Sequence, residues 1–211
     1  SVGIAHPNSE RTFLTTHGHL TRLNLEHVRQ ALDLKALQGG IALVVGSFLT
    51  ERLATEYDLL FDLLAEHDVR IALDTGWPVA GWSPETRARC LAWSGRCDHL
   101  LLNEVELLSI FAATSIEAAM ESAAQVMPRG GCVIAKRGPV GASGMKDGTI
   151  VHVSAPAVTV LDTAGAGDVF NAAYLAAVAQ GHSFRDAIAA GVSTASRAVS
   201  THPREYAHPG E

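Results

Sequence analysis

Residues 162–168 read Asp-Thr-Ala-Gly-Ala-Gly-Asp, a run of small residues that ends in a carboxylate. An apolar run precedes this segment and an alanine-rich, helix-like segment follows it, so the pattern predicts strand, loop and helix. Small residues leave backbone N–H groups open to a bound anion, and the start of a helix adds partial positive charge. Asp168 would lie beside that anion, where transfer of a phosphoryl group to a hydroxyl requires a general base. The segment therefore predicts phosphate binding and phosphoryl transfer.

Other interpretations of this glycine loop can be compared residue by residue. A dinucleotide-binding fingerprint needs a third glycine, and Phe170 stands at that position. A Walker A loop needs Gly-Lys-Ser or Gly-Lys-Thr after the glycines, and neither follows them. An ordinary strand-to-helix turn, in which Asp168 only caps the helix, is also compatible with the residues alone.

The elements that must position this loop follow from hydrophobic patterning. Short apolar runs predict buried strands, and amphipathic segments between them predict helices. Strands that alternate with helices indicate an α/β fold with a mainly parallel sheet covered on both faces, whose ligands lie at the carboxyl ends of the strands. Asp147-Gly148 predicts a tight hairpin turn. The predicted strands are 41–45, 69–74, 99–102, 132–136, 142–146, 149–153 and 158–161, and the predicted helices include 51–67, 104–111 and 115–127.

Helix starts are marked by polar residues with capping side chains. Asn24 precedes one apolar-periodic segment, and Ser83-Pro84-Glu85 combines an N-cap, a proline at the first helical position and an acidic residue. Ser183 and Asp186 have the spacing of a capping box with Asp in the Glu position. These signals predict where three helices begin.

Composition excludes several classes of protein. The 211 residues are 47% hydrophobic and 18% charged, as in a globular domain, and the net charge of -6 disfavours a nucleic-acid partner. No apolar run reaches the roughly 20 residues that span a bilayer, and residues 1–10 lack the pattern of a secretory signal. Three cysteines without metal-type spacing predict reduced thiols and a cytoplasmic protein.

Residues 162–170, Asp-Thr-Ala-Gly-Ala-Gly-Asp-Val-Phe, closely resemble the C-terminal signature of the ribokinase (PfkB) carbohydrate-kinase family. The resemblance implies a three-layer α/β/α ribokinase-like core. It implies that Asp168 is the catalytic base and that Asp162 helps to hold a monovalent cation such as K⁺. It also implies that the backbone forms an anion hole for the γ-phosphoryl group at Ala164, Gly165, Ala166 and Gly167.

Two further segments resemble motifs of the same family. Asn103 and Glu106 match an Asn-x-x-Glu motif that organises Mg²⁺ indirectly, although by themselves Glu104 and Glu106 are typical of a solvated helix start. Residues 136–141, Lys-Arg-Gly-Pro-Val-Gly, resemble a Gly-x-x-Gly segment that runs along the nucleotide, although a plain glycine turn would have the same residues. The resemblance therefore implies that ATP is bound by Lys136, Gly138, Gly141 and Asn171.

The chain also departs from the family pattern. Residues 74–77 resemble an Asp-x-Asn segment, but Gly76 replaces the Asn, which weakens any inference about the acceptor site. Residues 1–24 resemble part of a β lid and residues 25–211 the nucleotide-binding and catalytic core. The opening strands and the glycine pair that grip sugar hydroxyls in this family have no counterpart in this sequence. We therefore expect that an N-terminal part lies upstream.

These observations favour an ATP-dependent kinase that phosphorylates a hydroxyl of a sugar, sugar acid or nucleoside, with ATP, Mg²⁺ and a monovalent cation as cofactors. The partner would be a small hydroxyl acceptor, with no nucleic acid and no membrane. A non-catalytic nucleotide-binding remnant is the alternative, and a kinase of vitamin-like heterocycles is a weaker one. The sequence leaves the oligomeric state open, with a homodimer formed through lid strands as one option.

Overall fold

The main sheet carries the elements of the predicted core. The structure, a computed structural model, describes residues 2–5 and 11–206, which include a six-stranded sheet in the order β3-β4-β5-β6-β7-β8. Neighbouring strands from β3 to β6 are parallel, whereas β7 is antiparallel to both of its neighbours, β6 and β8. The strands are β3 (Ile41–Val45), β4 (Arg70–Asp74), β5 (His99–Asn103), β6 (Cys132–Lys136), β7 (Ala142–Lys146) and β8 (Thr149–Val153).

Helices cover both faces of this sheet. They are α1 (Leu25–Ala31), α2 (Glu51–Ala54), α3 (Tyr57–Glu66), α4 (Pro84–Ser94), α5 (Glu104–Ile110), α6 (Ile116–Val126), α7 (Ala166–Ala179) and α8 (Phe184–Ser200). The first six pack into one hydrophobic cluster that includes Phe61, Leu107 and Met120, and the last two pack into a second cluster around Phe170 and Ile188. The α/β/α three-layer prediction is confirmed.

Local sequence signals explain where several helices begin. The side chains of Asn24, Ser83, Ser115 and Ser183 each accept a hydrogen bond from the backbone N–H three residues later. In the hairpin, Asp147 and Gly148 both have positive φ, 49° and 73°, as a primed turn requires. The predicted hairpin and the predicted helix starts at these caps are confirmed.

Two predicted elements differ in the structure. Residues 158–161 do not form a strand, because the backbone N–H groups of Leu161 and Asp162 donate to the carbonyl oxygen of Val199 in α8 and not to the sheet. The predicted helix 51–67 is two helices, α2 and α3. The chain turns between them at Thr55, whose hydroxyl donates to the Arg52 carbonyl, and at Glu56, whose carboxylate accepts the Leu25 N–H.

A separate two-stranded antiparallel sheet lies at the N-terminus. It consists of β1 (Val2–Ala5) and β2 (Arg11–Leu14), with Val2 paired to Leu14. The predicted turn at residues 7–9 lies outside the described residues. The division into lid residues 1–24 and core residues 25–211 stays a prediction.

Three further features of the described residues are the exposed edge strand β3, the free cysteines and the length of the helices. Within the described residues β3 pairs only with β4, and its Leu43 and Val45 side chains are exposed. All three cysteines lie in the described part of the chain and are buried and free. In residues 2–5 and 11–206, no helix has the length and apolar character needed to cross a bilayer.

A buried polar cluster lies in the second hydrophobic core. The Nδ1 atom of His99 is 3.0 Å from the hydroxyl oxygen of Tyr174, and Cys132 Sγ lies 3.1 Å from that nitrogen and 3.3 Å from that oxygen. Because these polar atoms contact one another, the cluster can be buried without leaving them all unpaired.

Candidate active site

The glycine loop leads into α7 through a backbone conformation that glycine adopts more easily than other residues. Gly165 is the N-cap of α7 and has a left-handed conformation, with φ 68° and ψ 10°. Asp168 is the third residue of the helix and is exposed, so the interpretation in which it only caps the helix is wrong. Its Oδ2 atom lies 3.7 Å from the point that a Cβ atom on Gly165 would occupy. The carboxylate therefore points back toward the loop.

The backbone N–H groups of the loop differ in what they donate to. Ala164 N–H donates to Oδ1 of Asp162 at 3.0 Å, and Ala166 N–H donates to the Thr163 carbonyl at 3.2 Å. The N–H groups of Gly165 and Gly167 make no hydrogen bond to any residue that the structure describes. Of the four residues predicted to form the anion hole, the two glycines therefore have the N–H groups that are open to a ligand.

A network of Asp74, Lys136 and Asn171 lies beside this loop. Lys136 Nζ donates to Asp74 Oδ2 at 2.6 Å and to Asn171 Oδ1 at 3.1 Å, and Asn171 Nδ2 donates to the same Asp74 oxygen at 2.7 Å. Asn171 is fully buried, and the side chains of Lys136 and Asp74 are 13% and 14% exposed. The network joins the carboxyl ends of β4 and β6 to the second turn of α7.

The network places a cation at the start of α7. A Cβ atom on Gly167 would lie 3.5 Å from Lys136 Nζ, so the absence of a side chain there leaves space next to the ammonium group. The helix start contributes further positive potential in the same direction. Open N–H groups, a helix N-terminus and a held ammonium group are the components of an anion site. Lys136 and Asn171 were predicted from the sequence to bind the nucleotide, whereas Asp74 was not assigned a role.

Asn103 and Glu106 form a capping box at the start of α5. Asn103 Oδ1 accepts the Glu106 N–H at 2.8 Å, and Glu106 Oε2 accepts the Asn103 N–H at 2.9 Å. Glu106 is 4% exposed, and burial raises the pKa of its carboxyl, with the nearby Asp74 carboxylate acting in the same direction. No group of three or more His, Cys, Asp or Glu residues in the described ranges is arranged to hold a metal ion. Any Mg²⁺ here would depend mainly on phosphate oxygens and water.

The two glycines after β6 have different surroundings. Gly138 has φ 54° and open space around its Cβ position, whereas Gly141 has φ 107° and a Cβ there would lie 2.0 Å from the Val153 carbonyl oxygen. Gly141 is therefore required by packing against β8. A nucleotide contact by Gly138 or Gly141 stays a prediction.

Asp162 has an ionic partner that the sequence-based analysis missed. Arg204 Nη2 donates to Asp162 Oδ2 at 2.5 Å, while Asp162 Oδ1 accepts the Ala164 N–H. Arg204 lies 42 positions away along the chain, so no local spacing signals this pair. A K⁺ ion at this carboxylate would meet a guanidinium group already bound there, so the residues present do not fit the predicted cation.

Two cavities lie along α7 and α8. One, of about 520 Å³, is bordered by Asp168 and is otherwise mostly apolar. The other, of about 230 Å³, lies between α8 and the segment that follows β8. The first is lined by Asp168, Val169, Ala172, Ala173, Ala176, Thr194 and Tyr206, and the second by Pro156, Val158, Ser193, Ser196, Arg197, Ser200 and Thr201.

The fold and site define an α/β protein with a glycine loop at a helix start, next to the carboxyl ends of its parallel strands. The family model described as "pfkB family carbohydrate kinase" matches residues 3–206, so the chain belongs to the pfkB family of carbohydrate kinases.

Solved structures share this fold at low sequence identity. A PfkB protein from Polaromonas sp. JS666 is 20% identical with a TM-score of 0.71, over 87% of this chain and 60% of that chain. Aminoimidazole riboside kinase from Salmonella enterica is 20% identical with a TM-score of 0.73, over 94% and 67%. A fructokinase double mutant from Vibrio cholerae O395, solved with fructose, ADP and a potassium ion, is 21% identical with a TM-score of 0.69, over 81% and 58%. This chain thus spans about 60% of the length of the first of these proteins.

Proposed function

We propose that this chain forms the nucleotide-binding and catalytic part of a kinase that transfers the γ-phosphoryl group of ATP to a hydroxyl of a sugar, sugar acid or nucleoside. The observation that supports it most is the position of Asp168, whose carboxylate lies in the first turn of α7 beside the open N–H groups of Gly165 and Gly167. A base and an anion site at one helix start are the components that phosphoryl transfer needs.

Asp168 is the proposed general base. Its carboxylate is exposed, so an acceptor hydroxyl could approach it directly. A carboxylate within hydrogen-bond reach of that hydroxyl would accept its proton as the oxygen attacks phosphorus. The orientation of the carboxylate toward Gly165 keeps the reacting oxygen close to the phosphate loop.

Gly165, Gly167 and Lys136 are proposed to stabilise the charge on the transferred group. The ammonium group is held by Asp74 and Asn171 and the two N–H groups belong to the start of α7, and groups that are fixed in place stabilise developing charge most. Asn171 is proposed to act by holding Lys136, because its amide oxygen accepts a hydrogen bond from Lys136 and its amide nitrogen donates one to Asp74.

Asn103 and Glu106 are proposed to organise Mg²⁺ through bound water, since one oxygen of each side chain is already engaged in the capping box. Mg²⁺ commonly keeps several waters and bridges phosphate oxygens. Gly138 and Gly141 are proposed to lie along the nucleotide. The cavity of about 230 Å³ between α8 and the segment that follows β8 is the candidate position for the nucleotide base. A cytoplasmic location is proposed from the three free cysteines, and a homodimer through the lid strands is proposed from the family alone.

The class of acceptor is supported by the neighbours. One was solved with fructose and ADP, and another is named for aminoimidazole riboside. We therefore propose a sugar-like or nucleoside acceptor for this protein, without choosing among them.

The test is a comparison of transfer and binding in one protein. ADP release from Mg·ATP would be measured with a panel of sugars, sugar acids and nucleosides, and ATP affinity by calorimetry. We expect Asp168→Asn to lower turnover by about 10²–10⁴-fold, the usual contribution of a general base, with ATP affinity retained. Asp186→Asn is a matched control, because Asp186 is likewise the third residue of its helix, α8.

The outcomes separate the candidate functions. Near-normal turnover in Asp168→Asn would contradict the assignment of the base. Tight ATP binding without transfer to any acceptor would favour a non-catalytic nucleotide-binding module. Absence of ATP binding by the unaltered chain would contradict both.

A further inference from the structure

The ion pair of Arg204 and Asp162 lies next to Gly165 in the glycine loop. Arg204 Nη2 is 2.5 Å from Asp162 Oδ2, and its Nη1 atom is 3.7 Å from the position of a Cβ on Gly165. The other oxygen of Asp162 accepts the N–H of Ala164, the first residue of the predicted anion hole. The guanidinium group is therefore linked through one carboxylate to the backbone that would receive a phosphate.

The segment that follows α8 holds Arg204 in this position. Glu205 N–H donates to Thr201 Oγ1 at 2.8 Å, and that hydroxyl donates to the Arg197 carbonyl at 2.9 Å. The Glu205 carboxylate also pairs with Arg197 Nη1 at 3.3 Å. These bonds anchor the residues on both sides of the Arg204 side chain to the end of α8.

A positive charge beside Asp162 would offset the negative charge of its carboxylate. Asp162 lies two residues before Ala164, the first residue of the predicted anion hole. An uncompensated negative charge at Asp162 would oppose the binding of a polyphosphate there. A bound monovalent ion or a tethered guanidinium group could each offset that charge. A guanidinium group is always protonated and presents several donors to a carboxylate, so it supplies the charge without an equilibrium with solvent ions.

We infer that Arg204 is a built-in cation that takes the place of a monovalent metal ion at Asp162. Binding of Mg·ATP and folding stability are then insensitive to the choice between K⁺ and an inert cation. The consequence for catalysis, turnover that needs no K⁺, rests on the proposed function. The consequence for cation binding does not.

The experiment measures how K⁺ changes two properties of the chain, its free energy of unfolding and its affinity for Mg·ATP. Urea unfolding and Mg·ATP affinity would be compared in potassium chloride and in choline chloride at equal ionic strength, for the unaltered chain, Arg204→Ala and Arg204→Lys. Arg96→Ala is the matched control, because Arg96 forms a second ion pair of 2.5 Å with Asp62, between side chains 36% and 59% exposed. Asp162→Asn combined with Arg204→Ala removes the site altogether.

We expect no K⁺-specific change in the unaltered chain, in Arg204→Lys or in Arg96→Ala. In Arg204→Ala the Asp162 carboxylate has lost its guanidinium partner and should bind K⁺, and at ten times the dissociation constant for K⁺ the ratio of folded to unfolded protein should rise about tenfold. That rise should vanish in the double variant.

Two results would overturn the inference: K⁺-specific stabilisation of the unaltered chain, or an Arg204→Ala variant that folds and is indifferent to K⁺. If every acceptor fails in the transfer assay, the proposed function fails, but the unfolding data still decide whether Arg204 replaces a metal ion.

Discussion

Lys136 Nζ lies 2.6 Å from Asp74 Oδ2, although the two residues are 62 positions apart and their strands are separated in the sheet by β5. The pair is largely buried, and the fully buried Asn171 bonds to both members. Breaking a buried ion pair by removing one partner leaves the other charge without compensation. The pair therefore fixes the ammonium group beside Gly167 and also links the sheet to α7.

For Asp74→Asn, we expect the free energy of unfolding to fall by about 3 kcal/mol, because the largely buried Lys136 side chain would lose its ionic partner. Urea unfolding measures this change. Asp62→Asn serves as the control, since that carboxylate is exposed and its loss should cost less than about 1 kcal/mol. Equal effects of the two substitutions would contradict a special role for the buried pair.

Gly167→Ala should separate stability from anion binding. Alanine favours the helix, so the free energy of unfolding should rise by about 0.5 kcal/mol. The added methyl group would lie 3.5 Å from Lys136 Nζ, in the space proposed for a phosphate, and we expect Mg·ATP affinity to fall about tenfold, the equivalent of one charge-assisted hydrogen bond. Chemical unfolding and calorimetry on the same preparation measure the two effects.

Gly165→Ala is the informative comparison for Gly167→Ala. Gly165 has φ 68°, where a Cβ atom introduces strain, so this substitution should lower the free energy of unfolding by about 1 kcal/mol or more. A destabilising Gly167→Ala would contradict the expected gain in helix stability, and normal ATP binding by this variant would contradict the proposed anion site beside Lys136.

His99 should make stability depend on pH. Burial lowers the pKa of its imidazole from 6.5 to about 4, and the charge of Arg70 acts in the same direction. Between these values the unfolded state binds a proton that the folded state does not, so the free energy of unfolding should fall as pH falls from about 6.5 to about 4. The loss from this one group is about 3 kcal/mol.

His99→Asn, which keeps a polar atom near Tyr174, should flatten this pH dependence in urea unfolding. His182→Asn, a substitution of an exposed histidine, should leave it unchanged. Parallel pH profiles for the unaltered chain and His99→Asn would show that His99 is not the group responsible.

The three cysteines should resist alkylation in the native protein. Burial raises the pKa of the Cys90 thiol to about 12 and that of Cys132 to about 11, and it raises the pKa of Cys97 as well. Since the thiolate is the nucleophile, iodoacetamide at pH 8 should label none of them until urea is added. Ser154→Cys, at an exposed position, supplies the reactive control for mass spectrometry. Rapid labelling of a native cysteine would contradict its burial.

Much of the fold could be predicted because its signals are local. Short apolar runs marked β3 to β6, and Asp147-Gly148 marked the hairpin. The strand predicted at 158–161 was wrong for a reason that is not local: its last backbone N–H groups are taken by the end of α8. The split between α2 and α3 likewise depends on Glu56 accepting the N–H of Leu25, 31 positions away.

The candidate site was predictable where a motif carries it and not where long-range pairing does. The glycine loop and Asp168 are contiguous, so their spacing together with the family resemblance was enough to form a hypothesis about their chemistry. Asp74 Oδ2 accepts hydrogen bonds from Lys136 and Asn171, and Arg204 contacts Asp162. These contacts depend on chain segments that only the folded protein brings together. A carboxylate at the end of a parallel strand was the available signal for Asp74.

The network of Asp74, Lys136 and Asn171 joins residues that are 35, 62 and 97 positions apart. Closing such long segments costs chain entropy before the contacts that reward it can form, which places non-local pairings late in folding. A chain that has formed its helices and the β7–β8 hairpin but has not completed the sheet would lack a held ammonium group beside the loop. Under the proposed function, the number of nucleotide-binding sites per mole of protein would report the fraction of a refolded preparation that has reached the native topology, a measurement that helical content alone cannot supply.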